Sequence, residues 1–292
     1  MTPGPLLPAP LVSTQWLADH LGADKLVIVD ATVFVAPLPG GKPGYVSGHE
    51  QYIIDGHLPG AVFADLIDEF SDSSGTHPFT RPSAEAFALA AGSLGIDDDT
   101  TVVIYDAALG QWAARVWWLF RAFGYDDVAV LDGGLSKWRS EERDTDTGHV
   151  QAEPAVFTAV ERPELWVDKE AVARVVSGEE TAALVCAVPP AEFAGEAGHR
   201  PRRGHIPGSV SAPAGRLVDR GDNTLLSPEK LRAALGAVVE AERVISYCAG
   251  GIAAATNALA LTLLGHRNVA IYDGSLNEWS TDEDAPLEGV SA

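Results

Sequence analysis

This chain is written twice. Gly56-His57-Leu58-Pro59-Gly60-Ala61 recurs as Gly204-His205-Ile206-Pro207-Gly208-Ser209. Asp132-Gly133-Gly134-Leu135-Ser136-Lys137-Trp138 recurs as Asp273-Gly274-Ser275-Leu276-Asn277-Glu278-Trp279. Between these markers, Val102-Val103-Ile104-Tyr105-Asp106 matches Val244-Ile245-Ser246-Tyr247-Cys248. Three landmarks in one order, at offsets of 148, 142 and 141 residues, imply two copies of one domain. The stretch from Arg143 to Pro163, with Thr, Asp, Gly, Glu and the prolines Pro154 and Pro163, reads as the crossing between them. The expected division is a first domain over 1–145, a linker over 146–163 and a second domain over 164–292.

Within each copy, short Val/Ile runs alternate with amphipathic Ala/Leu stretches. Strands are expected at Val27–Val29, Val128–Leu131, Leu184–Val185 and Val269–Tyr272. Helices are expected over Ala84–Leu94 and Pro228–Val239, capped by Ser83 and Ser227, and over Arg115–Phe123 and Ala254–Leu264. Strands alternating with helices of this length define an α/β fold: a mostly parallel sheet in each copy, flanked by helices on both faces. Ligands of such sheets bind at the carboxyl ends of the strands.

Composition narrows the partners. A chain of 292 residues, 46% hydrophobic, buries a large core, and its formal charge of −21 repels phosphate backbones and anionic lipid. No nucleic acid and no membrane are expected as partners, and any anion site has to be locally positive. No apolar run reaches the length of a membrane span, and Met1-Thr2-Pro3-Gly4-Pro5 lacks the basic and apolar regions of a signal peptide. With only Cys186 and Cys248, no disulfide framework is implied, so a reducing cytoplasmic setting is expected. His77 and His199 lack metal-ligand spacing, and neither metal nor cofactor is expected. His57 and His205 occur in both copies and read as fold residues, and Trp117, Trp118, Trp138 and Trp279 as packing.

The two copies differ at one strand end. Val244-Ile245-Ser246-Tyr247 gives way to Cys248 and the small-residue loop Ala249-Gly250-Gly251-Ile252-Ala253, with a helical stretch immediately after. A helix N-terminus with converging backbone N–H groups favours thiolate, the nucleophilic form of cysteine, and small residues let those groups turn inward. The first copy has Asp106 at this place, which accepts no sulfur. One half therefore reads as catalytic and the other as architectural. A cysteine phosphatase needs an arginine six residues beyond its nucleophile, where Ala254 stands, and a Cys-x-x-Cys redox pair is absent because Gly251 occupies its second position. Sulfur transfer needs only a thiolate and a cradle for a persulfide.

With these residues in view, the chain resembles the two-domain rhodanese-type sulfurtransferases, which include thiosulfate and 3-mercaptopyruvate sulfurtransferases. The resemblance runs from about Leu11 to Trp279. It is carried by Arg115-Val116-Trp117-Trp118-Leu119-Phe120-Arg121-Ala122-Phe123-Gly124, Val130-Leu131-Asp132-Gly133-Gly134-Leu135, the paired Gly-His-x-Pro-Gly elements and Ala270-Ile271-Tyr272-Asp273-Gly274. It implies two tandem rhodanese-like domains, the first inactive. It further implies that Cys248 takes sulfane sulfur from a small donor as a persulfide and passes it to cyanide, a thiol or a thioredoxin-like reductant.

Departures from the family fall at the donor contacts. Thiosulfate-type enzymes tend to carry Arg and Lys after the cysteine, whereas mercaptopyruvate-type enzymes tend to have a neutral Gly-Ser-Gly-Val loop. The neutral Ala249-Gly250-Gly251-Ile252 tilts toward a mercaptopyruvate-like donor, without that serine. The arginine usual before the aromatic residue of the segment leading to Gly-His-x-Pro-Gly is Glu192 here, and Cys186-Ala187-Val188 stands where Asp-Ala-Arg is common. Arg200, Arg202 or Arg203 can restore the charge; the alternative for that cluster is a solvated loop. Glu192 and Val188 also keep open a non-enzymatic sulfur carrier or protein-binding module. Cys186 has two readings, an oxidative disulfide with Cys248 or a buried filler.

Overall fold

The computed structural model describes residues 4–37, 43–200 and 202–289; Met1 to Pro3, part of the N-terminal stretch considered above, lie outside them. The first half contains strands β1 (Leu11–Val12), β2 (Leu26–Asp30), β3 (Val33–Pro37), β4 (Pro43–Ser47), β5 (Val62–Phe63), β6 (Thr101–Tyr105) and β7 (Val128–Leu131). The second contains β8 (Trp166–Val167), β9 (Ala183–Cys186), β10 (Val210–Ser211), β11 (Val244–Tyr247) and β12 (Val269–Tyr272). One sheet has the order β1-β7-β6-β2-β5 and the other β10-β9-β11-β12-β8, parallel throughout. Read from its far edge, the second sheet matches the first strand for strand. The duplication seen in the sequence is thus a duplication of topology.

Apolar runs, interrupted only by Thr101 and Ser246, explain the central strands β6, β7, β11 and β12. Every residue of β6, β7, β11 and β12 is buried, as expected of parallel strands covered by helices. The tryptophans at 117, 118, 138 and 279 lie in the core at 1% exposure or less. Ser83 and Ser227 cap their helices by accepting the N–H groups of Ala86 and Lys230. The second of these helices is shorter than expected, Pro228–Leu235, because Gly236 at φ +59 tightens the chain into a 3-10 turn over Gly236–Glu240.

Two further differences have physical causes. The helices that follow β6 and β11 start earlier than the sequence suggests, at Gln111–Ala122 and Ile252–Leu263. Their N-caps are Gly110 (φ +80) and Gly251 (φ +79), which supply left-handed backbone but no capping side chain, so the usual start signal is missing. Among the described residues, the antiparallel hairpin β3–β4 occurs only in the first half.

The chain forms two compact units whose borders differ from the repeat borders. Unit one comprises Met1–Ser74, Arg81–Arg162 and Asp219–Leu225; unit two comprises Gly75–Thr80, Pro163–Val218 and Leu226–Ala292. Of the stretch 146–163, expected as a linker, residues 146–162 belong to unit one. Ala155 and Val160 donate their N–H groups to the carbonyls of Gly92 and Phe123, and Phe157 (5% exposed) packs against Phe87, Phe120 and Tyr125. The repeated histidines are built into the backbone. The His57 ring lies 2.8 Å from the Leu58 carbonyl and stacks on Tyr52, and His205 lies 2.8 Å from the Phe193 carbonyl and stacks on Phe193.

Candidate active site at the end of β11

Cys248 follows β11 directly and is 3% exposed. Ala249, Gly250 and Ala253 are half-buried, while Gly251 and Ile252 are buried. The loop is braced by the start of the short helix Ser275–Trp279, residue against residue. The Cys248 carbonyl accepts the N–H of Leu276 at 3.1 Å, and the Ala249 carbonyl accepts that of Asn277 at 2.8 Å.

Ser275 completes the brace. Its hydroxyl accepts the N–H groups of Cys248 and Gly251, each at 3.1 Å, and donates to the Tyr272 carbonyl at 2.7 Å. The residue is fully buried and sits at φ +51, a left-handed conformation that side chains other than glycine's rarely adopt. Its repeat partner is Gly134, at φ +52, where a Cβ would collide with the Asp106 carbonyl. The small-residue loop suggests that the Gly251 amide faces inward with its neighbours, but that amide donates to Ser275 instead. The signal for Ser275 was present in the repeat itself, as the one residue of Asp-Gly-x-Leu that changes from glycine to serine.

The first unit shows what such a cradle holds. The Asp106 carboxylate turns back into its own loop and accepts four N–H groups, from Ala108, Gly110, Trp112 and Ala113, at 2.8–3.0 Å. Burial pushes this carboxyl's pKa up, and the four donors pull against that shift. Trp112 and Ala113 are the second and third residues of their helix; the matching positions after Gly251 are Ala253 and Ala254. Amides in a first helical turn lack intrahelical acceptors, which suits them to an anion or a polarised sulfur. Ala254 was not singled out from the sequence except as the missing phosphatase arginine.

Cys186 lies opposite Tyr247 in the β9–β11 ladder, as Asp30 lies opposite Tyr105 in the β2–β6 ladder. It is fully buried, and burial pushes its thiol up to about 12. Both cysteines are free. The filler reading fits this setting, with sulfur in place of the buried carboxyl of the first unit.

The three arginines before Gly204 have different fates. Arg200 donates to Glu192 at 2.9 Å, and its charge reaches Cys186, whose pKa it lowers. Arg202 is committed elsewhere, its guanidinium donating to the carbonyls of Asp282 and Ala285. Arg203 is exposed.

The chain is similar to known proteins along most of its length. The rhodanese-like domain family matches twice, over residues 13–141 and 173–282. Escherichia coli 3-mercaptopyruvate sulfurtransferase is 36% identical over 284 residues, covering 96% of this chain and 98% of the relative. Bovine thiosulfate sulfurtransferase is also 36% identical, over 289 residues, covering 92% of this chain and 91% of the relative. The crystal structure of the E. coli 3-mercaptopyruvate enzyme SseA superposes with a TM-score of 0.80 at 33% identity, covering 91% of this chain and 98% of that one. Yeast Tum1 shares the fold, with a TM-score of 0.83 at 23% identity, covering 98% of this chain and 100% of that one. The chain belongs to the rhodanese-like family. Within it, this is a two-domain sulfurtransferase.

Proposed function

We propose that Cys248 is the sulfur-carrying nucleophile, that the half over 164–292 is catalytic and that the half over 1–145 is architectural. The Cys248 thiolate attacks the sulfane sulfur of a small anionic donor, forming a sulfur–sulfur bond as the donor's remainder leaves with the bonding electrons. An acceptor, whether cyanide, a small thiol or a thioredoxin-like protein, then removes the outer sulfur. The amides of Ala249, Gly250, Ile252, Ala253 and Ala254 stabilise the transferred sulfur as an oxyanion hole does, while Gly251 is held by Ser275. The observation that carries this reading is Asp106, whose carboxylate fills the corresponding cradle of the other copy with four amide hydrogen bonds.

Arg200 is the residue proposed to meet the donor's anionic group, since a chain of charge −21 otherwise repels it. Arg202 is engaged with backbone carbonyls, and Arg203 serves only to raise the local potential. The neutral loop favours 3-mercaptopyruvate over thiosulfate. A cytoplasmic location fits two free cysteines, and no described helix is long and apolar enough to cross a membrane. Intact-mass measurement after incubation with either donor tests the proposal. The wild type is expected to gain one sulfur atom and Cys248→Ser none; retained activity in Cys248→Ser refutes it, and a wild type that labels with neither donor favours the non-enzymatic module.

A further inference from the structure

Ala249, Gly250, Gly251, Ile252 and Ala253 carry no polar side-chain atom, so any side-chain hydrogen bond to a donor seated at the loop has to come from elsewhere. The Ser275 hydroxyl is fully engaged, accepting two N–H groups and donating its own proton. Asn277 is differently placed. Its backbone N–H is fixed to the Ala249 carbonyl, which sets its side chain over the loop. A Cβ built on Gly250 would lie 2.8 Å from the Asn277 Nδ2 and 3.8 Å from the Pro78 carbonyl, so the carboxamide occupies the space that a side chain at position 250 would take. Asn277 is half-buried, and its carboxamide engages no hydrogen-bond partner among the described residues.

We propose that the Asn277 carboxamide is a donor-recognition group of the sulfur-transfer site, hydrogen-bonding the departing anionic portion of the sulfur donor above Gly250. This deepens the reading of Cys248 given above and rests on it. The position explains the glycine as well, because Gly250 leaves the amide its room. It also bears on the two donors. With thiosulfate, the Cys248 thiolate forms a bond to the outer sulfur, the S–S bond to the sulfonate breaks, and sulfite leaves with the electron pair and no proton. With 3-mercaptopyruvate, the C–S bond breaks, the pair passes to carbon as the enolate of pyruvate, and the proton lost from the donor's thiol has to return there. A carboxamide stabilises either leaving anion but carries no titratable proton, whereas a hydroxyl both donates and relays. Asn277 thus narrows the gap between the two donors that the neutral loop opens.

The test is a double-mutant cycle read as kcat/KM with sodium thiosulfate and sodium 3-mercaptopyruvate, together with intact-mass labelling and melting temperature. Asn277→Ala is expected to lower kcat/KM about 10-fold to 100-fold, the loss of one hydrogen bond to a charged group. Gly250→Ala, which displaces the carboxamide without replacing it, is expected to cost about as much, and the double Ala variant no more than the worse single one. Gly250→Ser with Asn277→Ala returns a hydroxyl to the vacated space and is expected to recover activity, more with 3-mercaptopyruvate than with thiosulfate. Should Asn277→Ala melt early, Asn277→Ser, which keeps a short donor, takes its place and is expected to retain most activity. The proposal is overturned if Asn277→Ala stays within about 2-fold of wild type for both donors, or if the two single losses multiply in the double variant. A wild type that takes up sulfur from neither donor overturns the Cys248 reading itself, a result distinct from any among the variants.

Discussion

Replacing Ser275 tests the energetic logic of the loop. Ser275→Ala removes one oxygen from a fully buried site, strands the N–H groups of Cys248 and Gly251 and leaves the Tyr272 carbonyl without its hydroxyl donor. A buried donor left unpaired costs about 1–3 kcal/mol, so the two amides together imply a loss of roughly 2–6 kcal/mol. Ser275→Gly loses the same bonds but removes the left-handed strain at φ +51, worth about 1–2 kcal/mol, so it should be the milder change. Hydrogen exchange of peptides spanning residues 244–252, read by mass spectrometry, reports on these amides locally, while urea unfolding reports on the whole chain. Protection is expected to fall about 30-fold or more in Ser275→Ala, with alkylation of Cys248 faster as its loop opens. If Ser275→Ala keeps wild-type protection, or Ser275→Gly proves the more damaging, the account of the brace is wrong.

Other consequences are as direct. Asp106→Ala empties the cradle of the first unit and is expected to destabilise the chain by about 3–5 kcal/mol, with sulfate raising the melting temperature of the variant more than that of the wild type. Cys186, whose thiol is pushed up to about 12 by burial, is expected to resist iodoacetamide at neutral pH while Cys248 reacts, as peptide mapping would register. Its folded pKa lies above the ordinary value of 9.0, so its contribution to stability is complete below about pH 9 and is lost as pH rises toward 12. Unfolding free energies of wild type and Cys186→Ala, from urea titrations, should therefore converge over that range by roughly 1 kcal/mol per pH unit, and parallel curves would contradict the shift.

Much of this arrangement is legible in the sequence alone. The repeat determined both sheets, because matched apolar runs such as Val102–Tyr105 and Val244–Tyr247 pack in the same way in each copy. Cys248 stood out because a single residue type differed at one strand end. What escaped were contacts made across turns. Nothing local marks Ser275 as the acceptor for an amide 27 residues earlier, or Asn277 as the neighbour of Gly250. The glycine caps hid the true helix starts, since a left-handed φ leaves no side-chain signature. Residues 146–163 read as a linker because they lack periodicity; the packing of 155–162 comes from hydrogen bonds to Gly92, Ala122 and Phe123, which composition does not encode. Of the three clustered arginines, only geometry separates the one on Glu192 from the one fastened to Asp282 and Ala285.

The exchange of short pieces between the halves has an architectural outcome. Gly75–Thr80 lies with the unit that holds Cys248, and Asp219–Leu225 lies with the other, where Leu225 donates its N–H to Asp132 and Asn223 its side-chain amide to Ala108. A protein divided at its point of duplication would yield two fragments, each carrying a splint that belongs to its sibling. The ancestral domain has been copied, but neither copy can be lifted out whole.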